Sequence, residues 1–201
     1  MSKIVRAIMS CHDKTGIVEL AETLRAYKVE IVSTAGTLDT LRQAGIEAKS
    51  IADFTGVPEM LDGRVKSLHS GVHAGLLGVR DNKLHCEQMA EYDFQWVDML
   101  VANLHPVESV LQGSGLTTDE IIDQIDIGGS AMIRSGAKNF RYVTVVVNPE
   151  RYSHVIHELH AHEGSVSFET RYRLAQEAFA LTSHYDAMIA GVLERGAPKE
   201  S

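Results

Sequence analysis

The chain has 201 residues, of which 44% are hydrophobic and 23% are charged, and its formal net charge is −8. This composition excludes disordered and fibrous proteins. The negative charge argues against a nucleic-acid-binding surface, which needs an excess of Lys and Arg on one face. An anionic ligand remains allowed, because backbone N–H groups and one or two cations are enough to hold a phosphate.

Cysteine content and the N-terminal sequence indicate a cytoplasmic protein. The only cysteines are Cys11 and Cys86, too few for a disulfide framework. The start MSKIVRAIMSCHDK lacks the apolar core of a signal peptide. No apolar run approaches the roughly 18 residues that a membrane span needs. We therefore expect a protein of the reducing cytoplasm that binds neither membrane nor nucleic acid.

Strand and helix signals alternate along the chain. Buried strands are predicted at 4–10, 29–33, 97–102 and 142–147, with a shorter signal at 48–51. A first helix is predicted to begin after Asp13, which would cap it. A second, short helix is predicted to follow the turn at 33–37 and to run through Leu41. Others follow at 84–92, 118–124 and 128–138, and from Pro149 to an amphipathic stretch at 168–195. The segment 57–78 is rich in Gly, His and basic residues and predicts irregular structure.

This alternation predicts an α/β fold, a single domain over residues 1–201 with a doubly wound, mainly parallel sheet. Ligands of such sheets bind at the carboxyl ends of the strands. The segments 10–16, 33–37 and 103–106 all follow predicted strands. We therefore expect these three loops to converge on one site.

Two of these loops have the character of phosphate-binding turns. In Ser10-Cys-His-Asp-Lys-Thr-Gly16, the N–H groups at a helix start, Lys14 and the Thr15 hydroxyl could hold a dianion. Capping by Asp13 beside a solvated Lys14 is the alternative, and the similar turn at 33–37 favours phosphate. Neither turn matches the Walker loop or the dinucleotide fingerprint, so nucleoside triphosphates and NAD are poor candidates.

Two further clusters are ambiguous from spacing alone. The loop 62–69 concentrates cations and donors, and a solvated surface loop is its alternative. His69 and His73 have the spacing of a metal pair, but no carboxylate or cysteine accompanies them, which favours structural histidines. Asp126 precedes Gly128-Gly129 at a helix start and Lys138 lies at its far end, a pattern that capping and dipole matching explain.

Taken together, these stretches resemble the IMP cyclohydrolase domain of the bifunctional purine-synthesis enzyme, which also carries a transformylase. The likeness runs from about Ile4 to Gly196. Its most specific parts are 58–66, which reads PEMLDGRVK, and 124–129, which reads QIDIGG. The other matching stretches are 13–17, 33–37, 68–69, 72–75, 103–104 and 137–139. Since nothing follows Ser201, the transformylase half is expected to be absent from this chain, either because it is a separate protein, a possible partner, or because the chain is truncated.

The resemblance implies a methylglyoxal-synthase-like, three-layer α/β/α fold with C-terminal helices. It also implies closure of the purine ring of a phosphorylated imidazole carboxamide nucleotide with loss of water. Such a reaction is redox-neutral and intramolecular, so no cofactor and no metal are expected. The protein would orient the groups, move protons and stabilise an oxyanion. A homodimer is expected as well, because the long C-terminal helix offers an apolar stripe.

The resemblance assigns roles to individual residues. The phosphate end would be bound by Ser10, His12, Asp13, Lys14, Thr15 and Gly16 together with Ser33, Thr34, Ala35, Gly36 and Thr37. The base would be bound by Arg64, Val65, Ser67, Ala102, Asn103, Ile127 and Gly128. The catalytic residues would be Lys66 near the formyl oxygen, Asp126, Lys138 for proton transfer, and His105.

Five departures from the family pattern bear on the substrate. The family usually has Ser at His12, Gly at Ala35, Thr at Ser67, Pro at Ser70 and, most important, Tyr at His105. An imidazole titrates near pH 6.5, so a rate that depends on it is expected to vary near neutrality. Lys66 and Arg64 would lower the pKa of His105 and Asp126 would raise it.

Because of these departures, three alternatives stay open. The first is a diverged cyclase that acts on an analogous nucleotide in specialised metabolism. The second is a phosphate-ligand binding domain without turnover. The third is a methylglyoxal synthase, which fold alone would suggest and which fold alone does not establish.

Overall fold

The structure is a computed structural model and describes residues 3–105 and 118–195. Five strands form one parallel sheet in the order β3-β2-β1-β4-β5. They are β1 (Arg6–Cys11), β2 (Glu30–Ser33), β3 (Lys49–Ser50), β4 (Met99–Asn103) and β5 (Thr144–Val146). The predicted parallel sheet is confirmed. Pro106, expected at its ligand-binding edge, lies outside the described residues.

Helices connect the strands and cover both faces of the sheet. They are α1 (Ile17–Ala26), α2 (Ala35–Gln43), α3 (Ile51–Thr55), α4 (Ser70–Leu77), α5 (Lys83–Glu91), α6 (Thr118–Asp123), α7 (Ile127–Lys138), α8 (Tyr152–Ala161) and α9 (Phe168–Arg195). A short 3-10 turn at Pro149–Arg151 leads into α8. The bounds of α9 are those that the amphipathic stretch predicted.

Alternate residues of β1 divide the hydrophobic core into two layers. Ala7 and Met9 pack on one face with the buried side chains of α1, α2 and α8. Ile8 packs on the other with those of α4, α7 and much of α9. Because successive side chains of a strand point to opposite faces, a strand buried on both sides reads as a continuous apolar run. The predicted three-layer α/β/α arrangement is confirmed.

The segment 57–78 departs from its prediction, because α4 lies within it. The glycines that favoured a loop serve close packing here. A Cβ atom at Gly75 would lie 2.5 Å from the carbonyl oxygen of Gln95, so only glycine permits this approach. The predicted strand at 48–51 is also shorter than expected. Ser50 caps α3 by accepting a hydrogen bond from Asp53 N at 3.0 Å, and Ile51 begins the helix.

The C-terminal helix α9 packs against α7 and β5 and leaves part of its surface uncovered. Ala175, Ala178 and Tyr185 are buried in the second core layer. Phe168, Tyr172, Phe179 and Leu193 are exposed on the same helix. Among the residues that the structure describes, no helix is both long and apolar enough to cross a membrane.

Candidate active site

A cavity of about 610 Å³ lies at the carboxyl ends of the central strands. Its walls are the turn after β1, the start of α2, the loop before α4, the residues that follow β4, and the segment from α6 to the start of α7. The predicted convergence of the loops is therefore confirmed for their described residues. The volume lies within the range of roughly 300–1,000 Å³ typical of small-molecule sites.

Side-chain hydroxyls join the first two turns to each other. Ser10 Oγ and Thr34 Oγ1 share a hydrogen bond of 2.9 Å. Thr37 is buried, and its Oγ1 accepts from Cys11 N at 2.9 Å and donates to Cys11 O at 3.1 Å. The end of β1 is therefore fixed to the start of α2 by polar contacts rather than by packing alone.

Asn103 fixes the turn after β1 from the neighbouring strand. Its Oδ1 accepts from Asp13 N at 2.8 Å, and its Nδ2 donates to Asp13 O at 2.9 Å. Asp13 itself accepts from Thr15 N at 2.9 Å, and hydrogen bonds from Thr15 hold the pKa of Asp13 below its ordinary value. The prediction that Asp13 caps α1 is wrong, since Gly16 is the N-cap residue and Asp13 closes the preceding turn.

Positive charge gathers where α2 begins. Thr34 is the N-cap residue of α2, and its side chain makes no capping hydrogen bond. A Cβ atom at Gly36 would lie 4.0 Å from Lys14 Nζ, so the ammonium group stands over the helix start. Lys14 Nζ also donates to His12 O at 3.2 Å. A helix N-terminus with a lysine above it suits a phosphate group.

The opposite wall is built on the N-terminus of α7. Asp126 is the N-cap residue, and its Oδ1 accepts from Gly129 N at 2.7 Å. Its own backbone N–H donates to the Tyr185 hydroxyl of α9 at 2.9 Å. Ser67 is buried against this helix start, because a Cβ atom at Gly128 would lie 2.6 Å from Ser67 Oγ. Glycine at 128 thus lets the loop that carries Lys66 lie directly against α7.

The same loop begins with a tight hairpin. Met60 N donates to Val65 O at 3.0 Å, and Val65 N donates to Met60 O at 3.2 Å. Between them the backbone at Leu61, Asp62 and Gly63 has positive φ. Arg64 forms an ion pair with Asp123 of α6, and both side chains are exposed. Exposed pairs stabilise little, so this contact orients Arg64 at the mouth of the cavity more than it holds the fold.

His105 lies in ring contact with His12. The ring centroids are 4.2 Å apart and the planes cross at 63°. Burial and then the neighbouring His12 lower the pKa of His105, while Asp126 opposes the shift. The sequence predicted that Lys66 and Arg64 would lower the pKa of His105 and that Asp126 would raise it, with no net direction, and only the effect of Asp126 is found. Desolvation and the second imidazole lower the pKa instead, and they move the titration of His105 to the acid side of its ordinary range.

The predicted site residues divide into two groups. Those that line the cavity are Ser10, His12, Lys14, Thr34, Gly36, Thr37, Arg64, Lys66, Ser67, Asn103, His105, Asp126, Ile127 and Gly128. Those outside its lining are Asp13, Thr15, Gly16, Ser33, Ala35, Val65, Ala102 and Lys138. Some residues of the second group hold the backbone around the cavity. Ser33 Oγ, for example, donates a hydrogen bond to Met9 O at 2.8 Å.

Lys138, a predicted catalytic residue, lies outside the cavity lining of one chain. It is exposed in the last turn of α7, whereas Asp126 caps the first turn. At 1.5 Å per residue, the 12-residue helix places it about 16 Å from Ile127. Within one chain this separation is too large for direct proton transfer with Asp126. The position matches the dipole-complementing role that spacing alone indicated.

Sequence reasoning missed part of the lining: Cys11, Asp62, Gly63, Ile122, Asp123, Gln124, Ile125 and Gly129. Most of these adjoin predicted residues in the chain, so a wider window around each motif would have included them. Ile122 and Asp123 on α6 carried no such signal. Cys11 is no candidate nucleophile, because burial raises the pKa of its thiol to about 11.

Both histidines with metal-pair spacing have structural partners. His69 is the N-cap residue of α4, and its Nδ1 accepts from Gly71 N at 3.1 Å. His73 Nδ1 is hydrogen-bonded to Ser135 Oγ at 2.9 Å. These contacts agree with the structural interpretation of the pair, which stays a prediction.

Comparison with known proteins identifies the family. A family model described as an MGS-like domain matches residues 16–131. The chain belongs to the MGS-like domain family. Beyond this match, the model of the AICARFT/IMPCHase bienzyme covers residues 136–201. The resemblance drawn from the motifs is confirmed at the level of the family.

This MGS-like chain is similar to longer purine biosynthesis proteins and to a solved structure that it covers in full. The bifunctional purine biosynthesis protein PurH of Magnetococcus marinus is 47% identical over 96% of this chain and 36% of its own length. The PurH protein of Listeria welshimeri is 50% identical over 94% of this chain and 37% of its own length. The chain thus spans little more than a third of these relatives. By contrast, the crystal structure of ForH matches with a TM-score of 0.89 and 33% identity, over 97% of this chain and all of that one.

Proposed function

We propose that this chain is an IMP cyclohydrolase that closes the purine ring of the formamido-imidazole-carboxamide ribonucleotide. The carboxamide nitrogen attacks the formamide carbon and a C–N bond forms. The formyl oxygen then leaves as water, with one hydrogen from the carboxamide nitrogen and one from the formamide nitrogen. The observation that carries the proposal is a single cavity that joins an anion-binding end to an end with Lys66, His105 and Asp126.

The two ends of the cavity correspond to the two ends of this substrate. The phosphate would lie over the start of α2, beneath Lys14 Nζ, where N–H groups and the ammonium group attract it. The base would then reach toward Asn103 and the N-terminus of α7. Anchoring at both ends holds the nitrogen and the formyl carbon at reacting distance, which is the main requirement of an intramolecular condensation.

Three side chains would serve the chemical steps. Lys66 and His105 would donate hydrogen bonds to the formyl oxygen as negative charge develops on it. Asp126 would accept a proton from the attacking nitrogen. Since Asp126 Oδ1 is held by Gly129 N, the carboxylate is oriented before the substrate binds. Lys138 has no place in these steps within one chain.

The names of the relatives support this assignment, because PurH proteins are named for purine biosynthesis. This chain matches little more than a third of their length, so a transformylase activity would have to come from another polypeptide or from sequence beyond this chain. We also propose that the protein acts in the cytoplasm, on a nucleotide rather than a nucleic acid.

The test is incubation of the protein with the formamido ribonucleotide, followed by the absorbance of inosinate. Conversion by the wild type, and its loss in Lys66→Gln, is the expected result. Lys83→Gln is the matched control, since Lys83 is exposed on α5 outside the cavity lining. Binding of the nucleotide without conversion would favour a ligand-binding domain without turnover.

A second candidate, a cyclase for an analogous nucleotide, is favoured by the contact between His12 and His105. The family pattern has Ser and Tyr at these positions, so this part of the cavity differs in chemistry and in reach. His105→Tyr should raise turnover of the purine precursor if the substrate is the family's. If both the wild type and His105→Tyr leave the precursor unchanged, an analogue is the better assignment.

We further propose a homodimer in which α9 contributes to the interface. Phe168, Tyr172 and Phe179 are exposed on this helix, and burial of such side chains is a common basis of association. Light scattering should give twice the mass of one chain. The mass of a single chain at micromolar concentration would contradict the proposal.

A further inference from the structure

The contact between His12 and His105 follows from the register of the two central strands. β1 and β4 run parallel, and Cys11 pairs with Asn103. His12 is the first residue after β1 and His105 is the second residue after β4, and both line the cavity at this edge of the sheet. Asn103 then holds the backbone of Asp13 by two hydrogen bonds, which fixes where His12 lies. The placement of the two imidazoles therefore follows from the strand register and from the Asn103 contacts.

The two nitrogens of His105 have different surroundings. Nδ1 is buried, and it has no hydrogen-bond partner among the residues that the structure describes. An imidazolium carries N–H groups on both nitrogens, so protonation would leave a charged donor buried without an acceptor. A neutral ring with its hydrogen on Nε2 leaves only a lone pair buried at Nδ1. The neutral tautomer of His105 with its hydrogen on Nε2 therefore has the lowest free energy of the three forms.

His12 makes protonation of His105 less favourable still. Its ring lies edge-on to that of His105 at a centroid distance of 4.2 Å. We propose that His12 is a positioning residue, which fixes His105 as a neutral hydrogen-bond donor through Nε2–H. This inference deepens the proposed cyclohydrolase function, on which it rests for the identity of the acceptor, the formyl oxygen. His105 is the catalytic residue and His12 acts through it.

Charged side chains line the cavity in which this pair lies. They are Lys14 on the turn after β1, Asp62, Arg64 and Lys66 on the loop before α4, Asp123 on α6, and Asp126 on α7; Asp13, next to His12 in the chain, lies outside the lining. Of these, Asp126 raises the pKa of His105, against the larger effect of burial and the further lowering by His12. The described surroundings thus favour the neutral ring on balance, in agreement with the buried Nδ1.

The test is an NMR titration of ring-labelled histidines, which reports both protonation state and tautomer. In the wild type at pH 7, His105 should be neutral with its hydrogen on Nε2. In His12→Ser, the pKa of His105 should rise toward its ordinary value of 6.5. His157→Ser on the exposed face of α8 is the matched control and should leave His105 unchanged. The acid limb of the pH–rate profile should move in the same direction as the titration.

Two results would overturn the inference. One is a wild-type His105 that is protonated, or carries its hydrogen on Nδ1, at pH 7. This measurement uses the wild-type protein alone. The other is a His105 pKa that is unchanged or lowered in His12→Ser. Because the titration uses no substrate, its outcome is independent of turnover. If the protein fails to form inosinate but His105 titrates as expected, only the proposed function is refuted. If the protein forms inosinate but His105 does not titrate as expected, only the role of His12 is refuted.

Discussion

Thr37→Val tests whether the hydroxyl bridge between β1 and α2 holds the phosphate end of the cavity. Valine has the shape of threonine but leaves buried Cys11 N without its acceptor at 2.9 Å. Losing a hydrogen bond to a buried partner costs about 1–3 kcal/mol, so we expect a loss of about 2 kcal/mol in the free energy of unfolding. For a chain of this size, that corresponds to a fall of roughly 4–8 °C in Tm.

The assays are urea denaturation and calorimetric binding of inosinate. Thr37→Ser is the matched control, since it keeps the hydroxyl and loses one methyl group. It should lower the free energy of unfolding by about 1 kcal/mol and retain nucleotide binding. Thr37→Val should weaken binding as well, because the turn with Lys14 is no longer tied to the start of α2. If Thr37→Val were as stable as the wild type and bound inosinate like Thr37→Ser, the bridge would have no such role.

Three further predictions concern separate features. Asp126→Asn should keep the cap on α7 and reduce turnover, whereas Asp126→Ala should cost about 1 kcal/mol more in urea unfolding; equal stability of the two variants would contradict the cap. Lys14→Ala should weaken nucleotide binding in calorimetry with less effect on kcat, while Lys83→Ala should leave both unchanged; a loss confined to kcat would contradict the phosphate role. Burial lowers the pKa of His73, so the folded state binds fewer protons and stability should fall as the pH drops below 6.5. His73→Asn should reduce this fall in unfolding measured at pH 7.5 and pH 5.5, and an unchanged slope would exclude His73 as its source.

The sequence predicted the elements whose burial pattern is strong. The apolar runs of β1 and β4 and the amphipathic period of α9 each follow from a single local rule, and their positions agree with the structure to within a few residues. The helix α4 was missed because Gly75 indicates a loop by propensity, while the structure needs glycine for contact with Gln95 O. A local propensity gives no information about a neighbour 20 residues away.

The candidate site was predictable to the same degree. Turns that follow strands were found, because parallel strands end at a common edge. The position of Asp123 in the wall was not, since its pairing with Arg64 exists only when α6 and the loop before α4 meet. The resemblance gave Lys138 a role in proton transfer, which stays a prediction, since helix length separates Lys138 from Asp126 within one chain.

The chemistry of this cavity depends on the register of two buried strands. A slip of one residue between β1 and β4 would remove the pairing of Cys11 with Asn103 and turn each side chain of the slipped strand to the other face. The hydrogen bonds between the Asn103 side chain and the backbone of Asp13 would then be lost, and His12 would no longer lie beside His105. The register is specified by apolar residues such as Met9, which the core layers accept on one face only. Core packing beneath the cavity therefore sets the geometry of its polar groups, including the contact between His12 and His105.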